Sequence, residues 1–408
     1  MSGRVRAFVT GVGVISAIGC DRESFWHSLA TGKTGFSPLD PLPPDLGFSH
    51  VAAVRDFDPE KRFESRMHQT LDRNAQFALA AAGEAIRDAG IEFTPERALR
   101  TGVITGCGIG GSGTLDHSYE RLYRLGKTRA SPLTVPNIMP SAGASHISMV
   151  HGLKGPSFTV SSACASSAHA MGLGLNLIRS GVLDVAIVGG HEAQLNPGSL
   201  YGWDALRVVS PTVCRPFSAG RDGMTLGEGA AILVIEREDL ARSRGARIYA
   251  EFAGCGMTAD AGHLTTPSVE GPVGAMRAAL EDADMSIGEV DHINAHGTGT
   301  PGNDRTEAEA ICQVFGERPA RIQVVSTKAF HGHTIGAAGA VEAVASVLAL
   351  DRQTVPVHPA GCVPDPEIGL AFVDQKPGNE TLRAALSHSF AFGGLNAVLA
   401  FRRAPGKF

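Results

Sequence analysis

Cys164 in TVSSACASSAHAMG (159–172), His296 in NAHGTGTPGND (294–304), and Lys328, His331, His333 and Glu342 in STKAFHGHTIGAAGAVEA (326–343) are side chains suited to nucleophilic chemistry. A free cysteine more often packs than reacts, so Cys164 needs partners before it counts as a nucleophile. Phe158 to Ser162 reads as a buried strand and Ala163 to Arg179 as a helix closed by Ser180-Gly181, which sets Cys164 at a helix N-terminus. There the dipole and free N–H groups favour a thiolate, and the same N–H groups can stabilise a thioester oxyanion. His169, five residues on, reads as a packed helix histidine rather than its base. His296 follows the strand VDHI, with Thr298 and Thr300 beside it. His331 and His333 raise a metal reading, but no carboxylate or third histidine joins them at ligand spacing, so no metal is expected. Each segment stands at a strand end followed by a glycine loop, where open α/β sheets carry their sites. A cysteine, two histidines, a lysine and a glutamate fit acyl transfer through a thioester.

The elements that must position these residues are β-branched runs alternating with Ala/Leu-rich ones. Residues 7–14, 184–190, 230–236 and 290–297 read as strands, and 75–90 and 340–350 as helices, so an α/β fold is expected. AFVTGVGVISAIG (7–19) is echoed by AEFAGCGMTADAG (250–262), and AGEAIRDAGI (82–91) by MRAALEDADM (276–285). The echo predicts two halves, 1–249 and 250–408, with the same strand–loop–helix order. Residues 38–60 and 191–228 read as excursions from the core. VTGVGVISAIG lacks the GxGxxG spacing and a matching acidic residue, which argues against a dinucleotide site.

With 43% hydrophobic and 19% charged residues and a formal net charge of -5, the composition is that of a soluble, slightly acidic globular protein. No basic excess points to nucleic acid. No apolar run approaches the roughly eighteen residues of a membrane span. Seven widely spaced cysteines without a CxxC pair argue against a disulfide framework and for a reducing cytoplasm.

The order Cys in ACAS, His in NAHGTGT, then STKAFHGH with GAAGAVE, then SFAFGGLN resembles the β-ketoacyl-acyl carrier protein synthases of the thiolase superfamily, and the match runs to Phe401. It is nearest the elongating, type II-like enzymes, because it keeps Cys-His-His. Initiating enzymes look like Cys-His-Asn, and degradative thiolases carry a second cysteine. The resemblance implies a thiolase-like five-layered αβαβα fold of two duplicated halves. The acyl-tunnel and dimer insertions would lie in 1–249, and both catalytic histidines in 250–408.

It further implies a decarboxylative Claisen condensation of malonyl-acyl carrier protein with an acyl chain held on Cys164, as in fatty acid or polyketide elongation. His296 and His333 would hold the enolate, and Lys328 and Glu342 would set their charge and orientation. Phe392 would supply a backbone oxyanion donor and the gate. Thr298 and Thr300 would bind the pantetheine arm, Ile109 would line the acyl tunnel, and Arg66, Lys127, Arg129 and Arg207 would meet the carrier protein. No cofactor is implied. A homodimer is, with a heterodimer formed with a paralogue as the alternative.

His331, Ala391, a shortened 205–223 segment and a thinned basic cluster at 65–73 depart from the housekeeping pattern. They lean toward nodulation-factor or polyketide-type branches. The competing readings are a thiolase-like enzyme acting on coenzyme A thioesters, a non-catalytic partner subunit, and a metal-dependent hydrolase using His331 and His333. Cys164 argues against the partner subunit.

Overall fold

Every residue of β1 (Ala7–Ser16) is buried, as in a strand covered on both faces. The computed structural model describes residues 4–63, 66–316, 321–370, 373 and 381–404. The sheet's other strands are β2 (Thr101–Gly106), β3 (Ser157–Val160), β4 (Val185–Glu192), β5 (Gly229–Arg237), β6 (Ala250–Ala259), β7 (Val290–Asn294), β8 (Gln323–Val325), β9 (Ala384–Ala391) and β10 (Leu395–Arg403). Their order is β8-β7-β9-β10-β6-β1-β5-β4-β2-β3. The outer pairs β2–β3, β2–β4, β7–β8 and β7–β9 are parallel. The inner pairs β4–β5, β1–β5, β9–β10 and β6–β10 are antiparallel. The order and sense of β1–β5 are therefore repeated in β6–β10, and the two sets meet where Ala7–Val9 of β1 pairs antiparallel with Ala250–Phe252 of β6. The two echoed sequences are the strands at this seam.

Helices α1 (Arg73–Ala89), α2 (Ser166–Arg179), α3 (Pro197–Ala205), α4 (Glu270–Asp282), α5 (Pro301–Phe315) and α6 (Ala338–Arg352) complete the frame. In α6 every residue from Ala338 to Leu350 is buried, so this helix is apolar around most of its surface and needs protein on all sides. α2 and α6 share one core with inward faces of β1, β4, β5, β9 and β10. α1 closes a second core on the first set of strands, and α4 and α5 close a third on the second set. Three cores between five layers make the thiolase-like αβαβα arrangement. The excursions pack partly on the sheet cores, through Val54, Phe57, Ala193 and Phe217, and partly on each other. Phe48 and Val51 meet Leu200, Met224 and Leu226. No helix among the described residues is long and apolar enough to cross a membrane.

Candidate active site

The nucleophile turn is tighter than its sequence suggests. β3 ends at Val160, Ala163–Ala165 forms a 3₁₀ turn, and α2 begins only at Ser166. Ala163 has φ +49°, a left-handed conformation that is costly for a residue with a Cβ and is tolerated where surrounding packing imposes it. That packing is visible at the end of β2, where a Cβ on Gly106 would fall 2.2 Å from the Ser167 nitrogen. Only glycine lets the strand meet the first turn of the helix so closely. Ser162 Oγ lies 2.8 Å from His169 Nδ1, so His169 ties down the turn and is not the base of Cys164. The same device recurs in the second half. Ile335 has φ +48°, and the 3₁₀ turn Ile335–Ala337 leads into α6.

His333 Nε2 lies 3.1 Å from Cys164 Sγ. His333 Nδ1 accepts the Ile335 N–H at 3.2 Å, so the ring proton of the neutral imidazole must sit on Nε2, facing the sulfur. Lys328 fixes His296 in the same way. Its Nζ, a donor with no acceptor capacity when charged, lies 3.2 Å from His296 Nδ1 and 2.6 Å from His296 O, and it pairs with Glu342. The His296 proton is thereby assigned to Nε2. The imidazole rings stand edge to face, 84° apart with centroids 5.4 Å apart. Cys164 Sγ and a nitrogen of each ring all lie within 4.8 Å of one another.

Burial, then the charge of Lys328, holds His296 and His333 well below the usual imidazole range. Both are neutral donors at pH 7. Burial pushes the Cys164 thiol up to about 12, with Lys328 pulling the other way, so desolvation outweighs the thiolate-favouring position that the sequence suggests. Burial likewise raises Glu342 to about 7 against the pull of Lys328. Two neutral N–H donors converging on a buried sulfur suit a developing oxyanion. The donor set does not suit a metal, because metal-bound imidazole needs a free lone pair where these rings carry hydrogens. His331 points away from the pair. Its Nδ1 lies 2.9 Å from Gly332 O and its Nε2 3.1 Å from Thr327 Oγ1, so His331 and His333 do not form the ligand pair of a hydrolase.

Cys164, His296 and His333 open into a cavity of about 290 Å³ whose lining includes Trp203, Thr298, Thr300, Arg207 and Phe392. Thr298 and Thr300 join through their hydroxyls at 2.8 Å. Ile109 is not part of this lining and its side chain is exposed, while its N–H bonds Glu192. Lys127 and Arg129 are exposed on the loop after residue 124, and neither lines the cavity. The side chain of Arg66 lies outside the described residues.

Sequence reasoning missed three buried acids and a histidine. Glu307 accepts the N–H groups of His296 and Gly297 at 2.8 and 2.7 Å, and His388 Nδ1 lies 3.0 Å from the same carboxylate. Asp304 accepts the N–H of Gly299 at 3.1 Å. Glu192, at the end of β4, receives N–H groups from Gly108, Ile109 and Gly336. Asp304 and Glu307 stand one turn apart at the start of α5, and that spacing beside the His296 loop was the available signal.

Fold and site together define an acyltransferase of the thiolase-like fold, with a buried cysteine beside two neutral histidines. The chain belongs to the β-ketoacyl synthase family: the N-terminal domain of that family matches residues 6–241 and its C-terminal domain residues 249–360. It is 42% identical to "Nodulation protein E" of Rhizobium sp. (strain N33), over 98% of this chain and 99% of the relative. It is 38% identical to "3-oxoacyl-[acyl-carrier-protein] synthase 2" of Staphylococcus aureus (strain MRSA252), over 99% of each. The structure of "The ishigamide ketosynthase/chain length factor" superposes with a TM-score of 0.93 at 34% identity, covering 98% of this chain and all of that one. The chain is thus a ketosynthase-type condensing enzyme, and its relatives include a nodulation protein, a 3-oxoacyl-[acyl-carrier-protein] synthase and a ketosynthase/chain length factor.

Proposed function

We propose that Cys164 carries the growing acyl chain and that His296 and His333 drive the decarboxylation that extends it. The observation that carries this reading is that His333 Nε2 lies 3.1 Å from Cys164 Sγ and that the sulfur and a nitrogen of each ring, His296 included, all lie within 4.8 Å of one another. The Cys164 sulfur attacks an acyl-carrier thioester; a new C–S bond forms, the old one breaks, and the carrier thiol leaves with the proton. Malonyl-carrier then enters, and its C–COO⁻ bond breaks with loss of carbon dioxide. The electron pair becomes an enolate whose oxygen receives the N–H groups of His296 and His333, the place where such donors lower the barrier most. The enolate carbon attacks the thioester carbonyl on Cys164, with the N–H groups of Cys164 and Phe392 as oxyanion donors. Collapse breaks the C–S bond, expels the Cys164 thiolate, which takes a proton from solvent water to return to the thiol, and releases a β-ketoacyl-carrier product. Lys328 and Glu342 hold the histidine tautomer. Thr298 and Thr300 receive the pantetheine arm, and Ile109 meets the acyl chain from outside the described cavity.

The partner in this reading is an acyl carrier protein, supported by the carrier named in the staphylococcal relative. Arg207, on the cavity lining, is the best-placed basic contact, with Arg66, Lys127 and Arg129 as outer ones. The cytoplasm is the inferred location. The halves 1–249 and 250–408 are read as a duplication, supported by the repeated strand order. A dimer is proposed across the edge strand β3, where Phe158 is exposed near a face that also exposes Met149 and Val150. The ketosynthase/chain length factor neighbour supports a paralogue as the alternative partner.

The test is Cys164→Ala assayed with acyl- and malonyl-carrier thioesters. Chain extension is expected to vanish while malonyl decarboxylation continues; undiminished extension would overturn the assignment. Coenzyme A thioesters replacing carrier thioesters at equal efficiency would favour the thiolase-like alternative.

A further inference from the structure

Trp203, in the last turn of α3 (Pro197–Ala205), and Phe392 both line the cavity that Cys164 also lines. Their rings are stacked, 29° apart with centroids 6.4 Å apart. The two residues are held very differently. Trp203 packs against the Phe48–Leu200–Met224 cluster, and its Nε1–H donates to Gln194 Oε1 at 2.7 Å. Gln194 is itself fully buried, so the acceptor cannot follow the indole if it moves. Phe392 has no such anchor in its ring. It sits between Ala391 and two left-handed glycines, Gly393 at φ +81° and Gly394 at φ +68°, and its loop is tied back by Gly393 N–H to Leu264 O at 2.7 Å.

We propose that Trp203, locked by Gln194, is the fixed wall of a size filter whose movable wall is Phe392, and that it sets which acyl groups reach Cys164. The proposal rests on the thioester role assigned above to Cys164. A group entering the cavity passes the aromatic pair or parts it, and parting it sacrifices the stack. Slim, unbranched acyl chains therefore load faster than bulky or branched ones, and the margin depends on the indole. A half-buried aromatic pair of this kind is worth about 2- to 10-fold in a rate ratio.

The experiment alkylates Cys164 with a series of maleimides of increasing bulk, read at the Cys164 peptide by mass spectrometry, in wild type, Trp203→Leu, Trp203→Phe and Gln194→Leu. The ratio of small-probe to large-probe rate is expected to shrink by about 2- to 10-fold in Trp203→Leu, with smaller shifts in the other two. A ratio unchanged in Trp203→Leu, with its melting temperature retained, overturns the filter. Should Trp203→Leu fail to fold, an unchanged ratio in both milder variants overturns it equally. Loading from linear and branched acyl-carrier thioesters then follows the same order. Failure of wild-type Cys164 to accept any acyl group counts against the thioester assignment, while the maleimide ratios judge the filter separately.

Discussion

Lys328 Nζ stands 3.2 Å from Nδ1 of His296 and 2.6 Å from the carbonyl oxygen of the same residue. A buried lysine gripping both the ring and the backbone of one histidine leaves that ring a single way to carry its proton. The charge of Lys328 also helps to keep His296 and His333 neutral. The lysine is therefore a positioning residue for proton placement, with Glu342 as its counter-charge.

Replacing the donor rings tests this most directly. His296→Ala and His333→Ala are each expected to lower malonyl decarboxylation by about 100- to 1000-fold, the usual loss for one oxyanion donor. Carbon dioxide release measured apart from chain extension reads the effect. Decarboxylation left intact in either variant would falsify the role given to that histidine.

Lys328→Met should weaken decarboxylation less, by about 10- to 100-fold, as for other residues that orient a functional imidazole. Cys164 should still become acylated, as seen by intact-protein mass. Equal losses in both half-reactions would instead point to collapse of the buried site.

The histidine at 331 carries a pH signature. Burial, then Lys328, lowers it from an ordinary value of 6.5 to about 3. A group depressed in the folded state stabilises above its unfolded pKa, and that stability is lost as the pH falls toward the folded value. Two pH units below 6.5 correspond to at most about 2.7 kcal/mol. His331→Gln, which cannot titrate, should therefore lose less stability than the wild type on going from pH 7.5 to pH 4.5. Thermal or urea melts of both proteins at the two pH values decide it. A stability gap that does not change with pH rejects the argument.

Gly394 has no room for a side chain: at φ +68°, an added Cβ would fall 2.4 Å from Asp260 Cβ. Asp260 also accepts from Asn396 Nδ2 at 2.7 Å, so it cannot withdraw without breaking that bond. Gly394→Ala is expected to displace the Phe392 loop and destabilise the protein by about 1–3 kcal/mol. Chain extension should fall more than decarboxylation. Wild-type melting and wild-type extension in this variant would show that the loop adapts.

Association offers a further test, since β3 is the end of the sheet and an unpaired edge invites another strand. Sedimentation at micromolar concentration is expected to give a dimer, and Phe158→Lys to shift it toward monomer. A wild-type monomer at that concentration would require a paralogous partner or none.

Much of the architecture was legible in one dimension. The buried strands at 7–14 and 230–236 and the helix at 340–350 emerge within a few residues of their expected bounds, because a run apolar on every face can only be central. The echo between 7–19 and 250–262 proved to mark the two seam strands. Boundaries near the nucleophile were less legible. The strand ends two residues early and the helix starts three late, since the left-handed Ala163 is imposed by contact between Gly106 and Ser167, which no local propensity encodes.

The residue types and order of Cys164, His296, Lys328, His333 and Glu342 were determined by the sequence, and so was the chemistry such a set can perform. Only the tertiary structure decided which nitrogen of each histidine bears the proton, because that depends on acceptors and donors 2 to 32 residues away along the chain. It also decided that the thiol is held up by burial rather than drawn down by the helix. Desolvation is a property of everything that surrounds an atom, and distant segments, those of His296 and His333 among them, must close before Cys164 is surrounded. Glu192, Glu307 and His388 read as ordinary polar residues until that closure turned them inward.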